Sequence, residues 1–165
     1  MNAQVVTASV GTMQLSNYAK HRSAQQMYVR GKQFIGSAIL LERSQGDGYV
    51  VRHLICQGIE LILKGILLRH DFDKYDPLLH KKKHFGHSLC KCAQEVCFIY
   101  GLKLHPQLNQ ELQKLDSFFS QHLFRYGKLV EFFFPPDSIP FERSVRRLVA
   151  MMRKFDRQIL ADPNP

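Results

Sequence analysis

Apolar positions along this chain recur mostly at intervals of three and four, the period of an amphipathic helix, and nowhere alternate over a useful length as a half-buried strand would. About five helical segments follow from that pattern. The first is expected from Ser16 to Arg43, with Tyr18, Ala19, Met27, Phe34, Ala38 and Leu41 on its apolar side. The run Ser44-Gln45-Gly46-Asp47-Gly48 then breaks it. A second helix, from about Gly48 to Asp71, is apolar nearly all round and is therefore expected at the centre. Gly58 and Gly65, seven apart on one face, would let a neighbouring helix come close.

Between Asp71 and Gly86 the period fails, and DFDKYDPLLHKKKHFG reads as a loop with at most one turn. A third helix starts near His87 or Ser88, with Ser88 as N-cap, and runs to Tyr100 before Gly101 stops it. Pro106 suits the first turn of a fourth, which carries Leu108, Leu112, Leu115, Phe119 and Leu123 down to Arg125-Tyr126-Gly127. After the connector FFFPPDSIP, a last helix from about Pro140 to Leu160 has a heptad-like seam of Val145, Leu148, Met152, Phe155 and Ile159. No repeat or second domain boundary appears. The expected fold is one all-α domain over residues 1–165: an antiparallel bundle of four to five helices, its core at about 16–128 and the final helix packed on it.

Composition narrows the class. At 165 residues, with 45% hydrophobic and 22% charged, the chain can build an ordinary globular core without staples. No run of about 18 apolar residues exists to span a membrane. The first fifteen residues lack both a basic opening and a sustained apolar stretch, so no secretory signal is expected. Three of the four cysteines, Cys90, Cys92 and Cys97, crowd one segment with Cys56 apart, which reads as reduced thiols in a cytoplasmic protein. The formal net charge of +9 is what composition leaves unexplained.

That charge is unevenly spread. From Pro77 to Gln94 there are Lys81, Lys82, Lys83 and Lys91 and no acid, with His80, His84 and His87 interleaved. A helix opening beside this run would also turn backbone N–H groups toward an anion, and phosphate is the natural guest. A solvated lysine run is the plainer reading. From Arg143 to Arg157 there are six cations against one acid, Asp156, so Arg146 and Arg153 could track a nucleic-acid backbone or meet an acidic partner. On a helix, His80, His84 and His87 would share one face as metal ligands. Three intervening lysines and the lack of a Cys-x-x-Cys pair oppose this, so neither metal nor cofactor is expected. The P-loop, GxGxxG, HExxH and GxSxG patterns are all missing.

Three short motifs stand in a recognisable order. The stretch from His53 to Gly65, containing Gln57, Glu60, Lys64 and Gly65, resembles the Q-x-x-E-x-x-x-K-A/G helix of HEPN domains (the higher-eukaryote and prokaryote nucleotide-binding family). Gly86-His87-Ser88-Leu89 resembles that family's H-x-L opening of the third helix, and Phe124-Arg125-Tyr126-Gly127 its R-Y ending of the fourth. The resemblance covers roughly Ser16 to Lys128. It implies a helical bundle, usually a homodimer, of a stress, defence or regulatory system that binds RNA or nucleotides. Active members are metal-independent ribonucleases with an Arg and a His spaced by four to six residues on the last core helix. Here no arginine is followed by such a histidine: positions 130–132 after Arg125 are Val130, Glu131 and Phe132. Binding without efficient catalysis is therefore expected, through Lys81, Lys82, Lys83, His84, His87 and Arg125, with Tyr126 stacking and Arg146 and Arg153 peripheral. His87 with Arg125 is the pair that could restore a ribonuclease. A third possibility is a dimerisation or protein-interaction module acting through the C-terminal helix.

Overall fold

The computed structural model describes residues 15–126 and, beyond them, Ala150 and Asp156; for Arg125 and Tyr126 it describes the backbone alone. Among the described residues the molecule is an all-α bundle of six helical segments: α1 (Asn17–Arg43), α2 (Gly48–His70), α3 (Phe72–Leu79), α4 (Leu89–Ile99), α5 (Pro106–Phe119) and the single turn α6 (Leu123–Tyr126). No helix among them is long and apolar enough to cross a membrane.

Side-chain caps set the helix starts. Ser16 accepts from the Ala19 amide, Asp47 from those of Tyr49 and Val50, Asp71 from Lys74, and Ser88 from Lys91. Gly101, at φ +60°, follows the C-cap of α4 in the left-handed conformation that glycine adopts freely. α2 is the central helix and packs against each of the other five segments. Its buried set includes Val51, Ile55, Ile59, Ile62, Leu63, Ile66 and Leu67.

α1 lies antiparallel along α2, and glycine makes the contact close. A Cβ on Gly31 would stand 2.7 Å from the Gly58 carbonyl oxygen. One on Gly58 would meet Ile35 Cγ1 at 2.6 Å, and one on Gly65 the Tyr28 nitrogen at 2.9 Å. The expected role of Gly58 and Gly65 therefore holds, with Gly31 as their counterpart on α1.

The buried face of α1 differs from the expected one. Ala24, Tyr28, Gly31, Ile35 and Ala38 form the seam, stepping by four and three, while Tyr18 is 73% exposed. Of the expected positions only Ala38 lies on this seam, whose small members Ala24 and Gly31 give a weak apolar signal in the sequence.

Two further expectations are corrected. Residues 72–79 form a helix instead of a loop. Asp71 caps it and Tyr75 and Leu79 anchor it; Pro77 falls in its second half, where its missing N–H costs a single hydrogen bond. The expected continuous fourth helix is broken into α5 and α6. The amide and hydroxyl of Ser120 both turn back to the Asp116 carbonyl, at 2.9 and 2.6 Å, and His122 takes φ +59°. That corner aims His122 at a place no continuous helix would reach.

The expected C-terminal helix lies outside the described residues except for Ala150 and Asp156, both helical. Asp156 accepts from Tyr28 Oη at 2.9 Å and from Lys32 Nζ at 2.7 Å, which ties that position to α1. Burial pushes its carboxyl up, but the hydrogen bonds from Lys32 and Tyr28 outweigh this and hold it below the usual 3.8.

Candidate functional site

α2 carries a row of polar residues on an otherwise apolar helix. His53, Gln57, Glu60 and Lys64 step by four, three and four and so share one face. Glu60 and Lys64 are buried, at 3% and 6% exposure, and a charge in such a place must be paired. Lys64 Nζ donates to Glu60 Oε1 at 2.6 Å and to the Gly86 carbonyl at 2.6 Å. Glu60 also meets His87 Nδ1, at 3.1 Å through Oε1 and 3.4 Å through Oε2. The three motif residues Glu60, Lys64 and His87 thus form one hydrogen-bonded cluster across the loop that separates α3 from α4.

The chemistry of the cluster follows. With Glu60 ionised against the Lys64 ammonium, the contact to His87 requires the proton on Nδ1. In the neutral form of the ring Nε2 then carries the lone pair, on a side chain that is 48% exposed. A buried carboxylate that fixes the imidazole tautomer is the arrangement that orients a general base. The His87 ring centroid lies 5.2 Å from that of His122 and 6.1 Å from that of Phe119, while that of His53 stands 5.8 Å from Phe119. Three imidazoles therefore gather around Phe119 at the α5–α6 corner.

The start of α4 is not the anion site expected of it. The Leu89 amide donates to Asp116 Oδ1 at 2.6 Å, Ser88 Oγ to Asp116 Oδ2 at 3.0 Å, and the Lys91 amide to Ser88 Oγ at 3.3 Å. A carboxylate from α5 already serves the positive end of this helix.

Lys81, Lys82, Lys83 and His84 are exposed on the turns between α3 and α4, and Lys91 Nζ donates to the Lys83 carbonyl at 3.2 Å. His80, His84 and His87 do not share a helix face, because residues 80–88 are not helical. The shared helix face on which they would act as metal ligands is therefore not formed. Among the described residues no three His, Cys, Asp or Glu side chains come together as a metal-binding group. Arg125 and Tyr126 lie on α6, which packs on α2, but their side chains are outside the described residues, as are Arg146 and Arg153 entirely.

The cysteines are reduced and buried or half-buried. Burial first, then the charge of Asp116, pushes the Cys90 thiol up to about 12; Cys92, chiefly through burial, also reaches about 12.

Sequence reasoning located His87 and the lysine run but overlooked Glu60, Lys64 and His122 as members of a site. The first two had a signal, two charges four apart on an apolar helix. His122 had none, since its position depends on a left-handed corner. No family model, curated protein or solved structure matches this chain.

Proposed function

We propose that this chain is a HEPN-like bundle that binds RNA or a nucleotide by side-chain charge, as a homodimer and without efficient catalysis. One observation carries the reading. Glu60, Lys64 and His87, which carry the motif resemblance from two separate segments, meet in one hydrogen-bonded cluster beside the acid-free run of Lys81, Lys82 and Lys83. Lys64 on the Gly86 carbonyl holds the end of the lysine-bearing loop against the buried core. Exposed lysines so anchored would contact phosphate and give salt-dependent affinity. Replacing Lys81, Lys82 and Lys83 together by alanine is expected to weaken binding of an RNA oligonucleotide at least ten-fold. Unchanged affinity would remove the loop from the reading.

The geometry of His87 also favours a second reading, a divergent metal-independent ribonuclease. His87 is oriented by Glu60 and stands beside His122, so base and acid could act on the 2′-hydroxyl and the leaving 5′-oxygen. RNA incubated with the protein and a chelator decides between the two. Cleavage that disappears in both His87→Ala and His122→Ala would establish the enzyme; intact RNA keeps the binding reading.

A further inference from the structure

α4 turns Leu89, Cys92, Ala93 and Val96 into the core. Lys91, Gln94, Glu95 and Phe98 consequently fall on its outer side, and Phe98 stands there 83% exposed. Charged or polar residues are what such a face ordinarily carries. Phe98 borders a groove of about 450 Å³ against α3 and the lysine loop, whose other walls include Lys74, Lys83, His84 and Lys91.

The charge of the groove is one-sided. Among the described residues its single acid is Glu95, which is engaged by Tyr75 Oη at 2.6 Å and by Lys74 Nζ at 3.5 Å. Among the described residues no acid pairs with Lys83 or Lys91, and the bond from Lys91 to the Lys83 carbonyl ties the loop to the helix that carries the ring. An exposed aromatic face beside paired cations is the pattern that holds a polynucleotide strand: the base stacks on the ring and the phosphates meet the ammonium groups. Only an unpaired base offers its face, so a duplex is a poor guest. A second copy of the chain is a poor occupant too, because it would bring the same lysines against these.

We propose that this groove seats one nucleotide of a single-stranded polynucleotide, with its base on Phe98 and its flanking phosphates on Lys83 and Lys91. The inference rests on the nucleic-acid-binding reading above and assigns that binding a stacking position. Its test is fluorescence anisotropy of labelled oligo(U) and oligo(dT) strands and of a matched RNA duplex, over a range of salt concentrations. Phe98→Ala is expected to weaken single-strand binding about ten-fold or more, Phe98→Leu nearly as much, and Phe98→Trp to retain it. Lys91→Ala is expected to lower the slope of log affinity against log salt by about 0.7, one phosphate's worth. Because Phe98 is exposed, none of its variants should disturb folding, which a melting curve checks. Single-strand affinity unchanged in Phe98→Ala overturns the proposal. If that variant instead lowers the molecular mass in solution while leaving affinity intact, the ring serves self-association and the proposal again falls. Loss of binding on replacing Lys81, Lys82 and Lys83, with Phe98→Ala silent, would leave the binding reading standing and remove the stacking position alone. Failure of the wild-type protein to bind any strand overturns both.

Discussion

A buried ammonium is tolerable only while its partners stay in place, and Lys64 has two of them on two different segments. Lys64→Met would leave the Glu60 carboxylate buried with only the half-exposed His87 to answer it. Such uncompensated charges cost about 3–5 kcal/mol. Exchanging both residues together, Glu60→Met with Lys64→Met, removes the unpaired charge and is expected to cost well under the sum of the single variants. Denaturant unfolding of the three proteins, read as a double-mutant cycle, checks this; strict additivity would mean that the pair is not coupled. The thiols give a second prediction at this scale. Cys90 and Cys92 are raised in the folded state from 9.0 to about 12, so their neutral forms are favoured by folding. Their contribution is fully present below the unfolded thiol's value and is lost as pH rises from about 9 toward 12. Replacing both by alanine should flatten the fall in stability over that alkaline range, measured by urea unfolding at successive pH values. The same protonation should make native Cys90 and Cys92 slow toward thiol reagents near neutral pH, and fast only after unfolding. At the residue scale the candidate site was half legible. Glu60 and Lys64 are conspicuous as charges in an apolar helix, yet a sequence does not say that they face Gly86 and His87 more than twenty residues away.

Helix pairs are decided by what lies at the crossing, and the α1–α2 crossing is built on glycine from both sides. Gly58→Ala would drive a methyl group to 2.8 Å from the Gly31 carbonyl oxygen and 2.6 Å from Ile35 Cγ1. Backbone has to move to accept it, and overpacking of this kind costs about 1–3 kcal/mol. Gly36 on the partner helix α1 is the control, since a Cβ there meets nothing within 4 Å. Gly36→Ala should raise stability by about 0.5–1 kcal/mol through helix propensity and a less flexible unfolded chain. Equal effects of the two substitutions, read from thermal melts, would refute the close crossing. Element boundaries were readable where a cap or glycine marks them, as at Ser16, Asp47, Ser88 and Gly101. They were not readable where a proline argues locally for a loop but tertiary packing of Tyr75 and Leu79 wins, as in α3. The α5–α6 corner was hidden for the opposite reason: the apolar period runs on through Leu123, while the Ser120 back-bonds and the left-handed His122 end the helix.

For the molecule as a whole, the charge of +9 makes two salt effects oppose one another. In the free protein like charges repel, and folding brings them closer, so the folded state is penalised most at low ionic strength. Lys81, Lys82, Lys83 and Lys91 lie within one short stretch that contains no acid, and surface ion pairs such as Lys20 with Asp73 contribute little against this. The Debye length shrinks from about 20 Å at about 20 mM salt to under 10 Å at about 150 mM, which screens the repulsion. The melting temperature of the free protein should therefore rise over that range. A bound strand acts in the other direction. It stabilises the folded state in proportion to the logarithm of its concentration over Kd. On the proposed nucleic-acid-binding reading Kd climbs steeply with salt, so the increment in melting temperature from a fixed amount of oligo(U) should shrink as the free protein's own melting temperature rises. Melts taken in parallel, with and without the strand across a salt series, separate the two. Curves that converge at high salt are expected of a protein whose excess charge meets phosphate. Curves that stay together at every salt concentration would mean that the charge serves only solubility.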